Sequence, residues 1–220
     1  MAQSKPMALF ERKEKIRDIS GIQWIDYRSV APPQEGCYIE FQIPAASHHY
    51  IDLDHSLLKV RVGLTKADGT STTAEDKVGL TTNVLNSIFS QVDVVLGDLN
   101  ISPTVGSNHP YRAYLEVLLE KGGTAESSAK LKNEGYEKLS YGGEVDFSND
   151  VNVLGALVEG EKTASFIGKI RTDACNLGKF IPNGVSLKIR LNQSSDAFRI
   201  TSKEAGTYKM TIKECILKVC

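Results

Sequence analysis

Side chains that could bind a metal gather in one stretch of this sequence, residues 47–55. The stretch holds three of the four histidines and two aspartates: His48, His49, His55, Asp52 and Asp54. Alternating His and Asp can place several ligands on one face of a strand. The spacing does not repeat, however, and the nearest cysteine is distant in sequence. We therefore interpret the stretch as a loop that leads into a strand and predict no metal site.

A second group of oxygen ligands lies in the middle of the chain and consists of Asp146, Asn149 and Asp150. Carboxylate and amide oxygens of this kind bind calcium in lectin-like sites, but the spacing here matches no calcium loop. We favour a solvated acidic loop. A non-catalytic β-sandwich module that binds carbohydrate or a protein ligand remains the alternative function.

Enzymatic chemistry has no recognisable motif in this sequence. There is no P-loop, no Gly-x-Ser-x-Gly, no His-Glu-x-x-His and no Gly-x-Gly-x-x-Gly pattern. The four cysteines are Cys37, Cys175, Cys215 and Cys220. They are far apart and form no Cys-x-x-Cys pair, so we expect them to be small buried residues in a reducing compartment rather than zinc ligands. We predict no enzyme, no catalytic residues and no cofactor.

The overall composition is that of a globular protein with balanced charge. Of 220 residues, 41% are hydrophobic, and 26 basic residues face 27 acidic ones. Such a chain can bury a sizeable core, and its net charge of −1 gives no general attraction to nucleic acid or anionic membranes. It shows no secretory signal and no apolar run of about 18 residues, so we expect neither secretion nor membrane insertion.

Residues 1–20 are charged and poor in apolar side chains, which indicates an N-terminal arm. Such an arm could dock on a neighbouring subunit or on packaged nucleic acid. The interleaved acidic residues Glu11, Glu14 and Asp18 weaken the second possibility. We favour a solvated arm that contacts nucleic acid weakly at most.

The elements that would position any site are mainly strands. Apolar and polar residues alternate over 58–64, 91–96 and 185–191, as in strands with one buried face. Further strands are predicted at 22–30, where Trp24 would be a core or interface anchor, and at 37–43, 164–170, 180–181 and 208–219. The last of these switches parity near Lys213 and Glu214, which indicates either a β-bulge or burial on both faces. Turn signals occur at 67–70, 97–98 and 182–184.

Two helical segments interrupt the strands. Residues 83–89 carry apolar side chains along one side of a short helix: Val84, Leu85, Ile88 and Phe89. Pro110 begins a longer helix, which Gly122 and Gly123 end, and its apolar face has the spacing i, i+3, i+4, i+7: Tyr111, Tyr114, Leu115 and Leu118. Thr124 is expected to cap another short helix that runs to Leu131.

These elements predict an all-β protein, an antiparallel eight-stranded jelly-roll β-sandwich with short helices in its long connections. Residues 21–220 would form this single sandwich, with excursions near 66–82 and 120–162. The sequence stops inside its last predicted strand, which we take to indicate one domain of a longer polypeptide.

Several segments, in order along most of the chain, resemble the major capsid proteins of Maverick (Polinton) virus-like elements and their adintovirus relatives. The matching segments are 50–60, 65–69, 83–94 (NVLNSIFSQVDV), 110–116, 183–191 and 195–198. No single segment is diagnostic, but the ordered set is fairly specific.

The resemblance implies a double jelly-roll capsid protein, in which two tandem sandwiches assemble as trimers into pseudo-hexagonal capsomers. This chain would correspond to the N-terminal sandwich. The main departure from the family pattern is that a second sandwich is missing from this sequence. The implied partners are copies of the chain, in trimers or a larger lattice, and other capsid proteins. The implied location is the virion, with assembly in the host cytoplasm or nucleus. A copy domesticated from an integrated element is also compatible with the resemblance.

Overall fold

The computed structural model describes residues 21–45, 48–73, 75–102, 108–120, 130–136, 154–176, 178–202 and 208–220. Its strands are β1 (Ile25–Arg28), β2 (Ile39–Ile43), β3 (Ile51–Asp52), β4 (Leu57–Lys66), β5 (Val78–Leu80), β6 (Phe89–Leu96), β7 (Leu99–Asn100), β8 (Thr163–Lys169), β9 (Phe180–Ile181), β10 (Leu187–Gln193), β11 (Ile200–Ser202) and β12 (Tyr208–Val219). Its α-helices are α1 (Val84–Ser87), α2 (His109–Glu120) and α3 (Asp196–Arg199). The predicted arm, residues 1–20, lies outside the described residues.

Two four-stranded antiparallel sheets form the body of the protein. One has the strand order β1-β12-β4-β8 and the other the order β2-β10-β6-β7. The long strands lie at the centre of each sheet, where β12 pairs with β4 and β10 pairs with β6. Along the chain, the path alternates between the sheets and places early strands beside late ones. This is the double Greek key of a jelly roll, and the predicted fold class is therefore confirmed.

The core lies between the two sheets and follows the alternation in the sequence. Lys59 and Arg61 of β4 are not buried. The residues that alternate with them point inward and are buried: Leu58, Val60, Val62 and Leu64. In β10 the fully buried residues are Leu187, Ile189 and Leu191, as predicted. Each such side chain contributes about 1.5–3 kcal/mol through burial alone, so the core supplies the main driving force for this fold.

β12 contains the predicted bulge. The register against β4 shifts between Ile212 and Glu214, and the buried residues change parity there. Met210 and Ile212 are buried before the shift, whereas Cys215 and Leu217 are buried after it. The extra residue lets one long strand keep its apolar side chains on the core face along its whole length.

β1 is shorter than the predicted strand 22–30 at both of its ends. β1 pairs only with β12, and Ile25 lies opposite Val219, the last residue of that strand. At the other end the Val30 N–H donates to the Glu40 carbonyl at 2.8 Å, which turns the chain towards β2. β2 likewise begins at Ile39 rather than at Cys37.

The predicted turns are present. Asn183 and Gly184 form the turn between β9 and β10, and Gly184 has a φ of 81°, a conformation that favours glycine. The turn at 67–70 is closed by the Lys66 N–H, which donates to the Thr70 carbonyl. The excursion predicted at 66–82 also contains a strand that the sequence pattern missed, because β5 pairs with the distant β11.

α1 lies where the sequence predicts it, and its residues are buried together with Ile88 and Phe89. The short helix predicted from Thr124 to Leu131 is described only from residue 130, and residues 130–133 are helical. Residues 124–129 lie outside the described residues, as do Gly122 and Gly123, which were predicted to end α2. Most of the excursion at 120–162 also lies outside them.

Candidate interaction surfaces

The segment 130–136 accepts hydrogen bonds from the first turn of α1. The Glu134 carbonyl accepts a hydrogen bond from the Leu85 N–H at 3.0 Å, and the Gly135 carbonyl accepts one from the Val84 N–H at 3.3 Å. These N–H groups belong to the first turn of α1 and have no partner within the helix. A distant loop therefore supplies the cap that this four-residue helix needs.

A buried ion pair holds the same segment against the body of the sandwich. The Arg171 guanidinium donates to the Glu134 carboxylate at 3.0 Å, and their side chains are only 5% and 6% exposed. Gly168 makes room for the carboxylate, since a Cβ atom there would lie 2.3 Å from the Glu134 Cγ. Because a buried charge is costly without its partner, the two residues depend on each other.

Helix α2 is fixed to the body by its small residues and by one arginine. Pro110, Ala113 and Val117 are buried and form the face that packs inward against β6 and α1. Arg112 donates to Glu116 at 2.8 Å and, through a second nitrogen, to Asp173 at 2.8 Å. The hydrogen bond from Arg112 also lowers the pKa of Asp173.

The predicted apolar face of α2 therefore points away from the core. Tyr111 is 61% exposed, Leu115 57% and Leu119 84%, and Tyr114 and Leu118 are exposed as well. The i, i+3, i+4, i+7 spacing is present, but the small side chains on the opposite face make the closer approach to the sheet. We call the outward set the α2 stripe: Tyr111, Tyr114, Leu115, Leu118 and Leu119.

A second exposed apolar area surrounds β1 at the edge of its sheet. Ile22, Ile25 and Val30 are exposed, and Trp24 is 47% exposed. Trp24 is therefore not a core residue, and an interface role for this side chain stays a prediction.

The histidine-rich stretch forms a turn rather than a cluster of ligands. The Asp52 carboxylate accepts hydrogen bonds from the Asp54 and His55 N–H groups, and it lies 2.8 Å from the His55 Nδ1. His48 and His49 are exposed on the preceding loop. Within the described part of the chain no three His, Cys, Asp or Glu residues meet as metal ligands would. Asp146, Asn149 and Asp150 lie outside the described residues.

The cysteines divide into two kinds. Cys175 and Cys215 are buried, and burial raises the pKa of both thiols. Cys37 is exposed and Cys220 is half-buried. The prediction of small buried residues is thus correct for two cysteines and wrong for Cys37, because β2 begins two residues after it.

Two cavities formed by described residues are small. One of about 90 Å³ lies at the start of α2 beside His109, Arg112 and Asp173. Another of about 200 Å³ lies between β5 and residues 155–159. Pockets for drug-sized ligands usually measure about 300–1,000 Å³. None of the described helices is both long and apolar enough to cross a membrane.

His109 makes stability depend on pH at the start of α2. Burial, and then the positive charges of Arg112 and Arg171, lower the pKa of His109 from 6.5 to about 4. The unfolded chain therefore binds this proton first, and stability is lost as the pH falls from 6.5 towards 4. We expect His109→Gln to remove about 1–2 kcal/mol of the stability difference between about pH 7 and pH 5.

Urea unfolding at both pH values measures this effect, and the exposed His49 provides the matched control through His49→Gln. The control should keep the pH dependence of the wild type. An unchanged pH dependence in His109→Gln would contradict the assignment.

Comparisons with known proteins agree on the architecture. No protein-family model matches the chain, and no curated protein matches it. The fold is similar to the major capsid protein of mavirus, with a TM-score of 0.50 and 14% identity, over 100% of this chain and 51% of that one. It is similar to a chain of the PBCV-1 virus capsid with a TM-score of 0.51 and 12% identity, over 96% of this chain and 44% of that one. This chain thus spans about half the length of the structures it matches, with which it shares a jelly-roll fold.

Proposed function

We propose that this protein is a structural protein of a virion and that it works by fitting against copies of itself. The observation that carries the proposal is the match of the whole chain to half of the mavirus major capsid protein. If a capsid protein consists of two tandem sandwiches, a chain that corresponds to one of them should have one jelly roll and match half of the protein. The ordered sequence resemblance to the capsid proteins of Maverick-like elements favours the N-terminal sandwich of that lineage.

In this proposal residues 21–220 form one upright block and residues 1–20 an arm beside it. The blocks assemble as trimeric, pseudo-hexagonal capsomers together with other capsid proteins, in the virion and, during assembly, in the host cytoplasm or nucleus. The excursions near 66–82 and 120–162 provide contacts between neighbours.

Physical features of the described residues support a building block over an enzyme or a ligand-binding module. Such a block needs a rigid body and complementary sides, and the two packed sheets with their continuous core provide the first. The exposed apolar areas on α2 and beside β1 provide candidates for the second. The described cavities are small, and the proposed role needs no catalysis and no cofactor.

Sedimentation velocity over two decades of protein concentration tests the proposal. We expect the sedimentation coefficient to rise with concentration towards a trimer or larger assemblies, because specific interfaces bury about 800 Å² per partner and dissociate on dilution. Class averages from negative-stain electron microscopy should then show three-fold particles. A chain that remains strictly monomeric at every concentration would contradict the proposed function.

A further inference from the structure

The α2 stripe is the exposed surface with the clearest definition in this molecule. Five large apolar side chains lie on one side of a single helix: Tyr111, Tyr114, Leu115, Leu118 and Leu119. Together they expose roughly 500 Å², which is at the upper end of the largest apolar patch on a typical monomer. The Tyr111 ring also meets the Phe198 ring of α3 edge-on, with the ring centres 5.7 Å apart.

The helix cannot rotate to bury this stripe. Its opposite face is fully used by Ala113 and Val117, which are buried against the body. Arg112 also joins the helix to the body from the side, since its guanidinium donates to Asp173 after β8. The stripe is therefore a preformed, rigid surface, and binding to it costs little ordering entropy.

The chemistry of the stripe favours a second copy of this chain as its occupant. The stripe itself contains no charged side chain, and the charged groups described beside it are one cation, Arg112, paired with two carboxylates, Glu116 and Asp173. The whole chain has a net charge of −1, so two copies do not repel each other strongly. Apolar patches without charge are typical of contacts between identical subunits, and tyrosine is enriched in them.

We propose that the α2 stripe is a contact surface between copies of this chain. The inference rests on the proposed function and adds to it the surface that joins neighbouring subunits. Roughly 500 Å² from each of two copies would bury about 1,000 Å² in total, the least that a specific interface is expected to bury.

A charge-neutral double variant tests this contact. Leu115→Glu with Leu118→Lys keeps the net charge and places opposite charges one helical turn apart, so α2 should remain folded. We expect self-association to weaken by at least about tenfold in sedimentation velocity, because two central apolar contacts are lost. Leu115→Ala with Leu118→Ala, which preserves helix propensity, should weaken it in the same direction and decides the question if the charged variant does not fold.

The matched control is Tyr50→Lys with Leu99→Glu, which changes two exposed apolar residues outside α2 and outside both excursions in the same charge-neutral way. It should associate like the wild type. If the wild type self-associates and the α2 variants do so equally well, or if the control is weakened as much, the inference is wrong while the proposed function stands. If the wild type is monomeric throughout, both fail.

Cross-linking provides a direct measurement of the same contact. A photoreactive residue at position 115, in a mixture of isotopically light and heavy chains, should give cross-linked peptides that combine both isotopes. Cross-links confined to single chains, in a sample that self-associates, would overturn the inference.

Discussion

Replacing Glu134 by leucine is expected to destabilise the protein by about 3–5 kcal/mol, because it leaves the Arg171 guanidinium buried without its carboxylate. For a chain of this length that corresponds to a fall in melting temperature of roughly 10 °C. Arg171→Met should cost a similar amount, since it leaves the Glu134 carboxylate buried instead. Urea unfolding followed by circular dichroism measures both.

The double variant distinguishes the loss of a partner from the loss of packing. Glu134→Leu with Arg171→Met removes both charges at once and should recover most of the stability lost in either single variant. Asp26→Asn is the control, because its partner Lys218 lies 2.8 Å away in an exposed pair. That change should cost at most about 1 kcal/mol. Single variants at the buried pair that lose no more than the control would show that the buried pair is unimportant.

Gly135→Ala is expected to cost about 2–5 kcal/mol for two reasons that act together. Gly135 has a φ of 76°, and a Cβ atom there would lie 2.7 Å from Val84 and 2.9 Å from Phe166. Neither neighbour can move away easily, because Val84 begins α1 and Phe166 is buried in β8. The measurement is the free energy of unfolding in urea.

Gly184→Ala separates the two reasons. Gly184 also has a positive φ, 81°, but the space around its missing Cβ is open. We expect this change to cost only about 1–2 kcal/mol, which is the backbone strain alone. Equal losses at the two glycines would mean that the packing of residues 130–136 against α1 adds nothing.

The variants at Glu134, Arg171 and Gly135 all affect how residues 130–136 pack against α1. Helix α1 in turn contacts α2. The candidate contact surface therefore depends on a loop that is far away in sequence. Variants at Glu134 or Gly135 that still fold should disturb α2 more than variants in the opposite sheet would.

The sequence alone was sufficient to predict the sandwich. Residues that alternate every second position, as in β4 and β10, can bury one face only as strands. The parity switch in β12 indicated a β-bulge or burial on both faces, and the register shift against β4 shows the bulge. The turn at Asn183–Gly184 is equally local, because it depends on neighbouring residues whose conformational preferences agree. The apolar side of the short helix at Val84 is also visible in the sequence, whereas its cap from Glu134 and Gly135 is not.

Pairing between distant segments was not predictable in this way. β1 begins opposite Val219, the last residue of β12, and β5 exists because β11 lies beside it. The ion pair of Arg171 and Glu134 joins two segments that show no common pattern. Such features depend on which surfaces meet in three dimensions, and that information is spread over the whole chain.

Helix α2 shows most clearly which features the sequence determined and which depended on the tertiary structure. The spacing of Tyr111, Leu115 and Leu118 determined that a helix with an apolar face forms there. Only the tertiary structure decided that this face points outward, because the face with the smaller residues Ala113 and Val117 is the one that is buried. Periodicity fixes which side chains share a face, whereas the shape of the neighbouring surface selects the face that is buried.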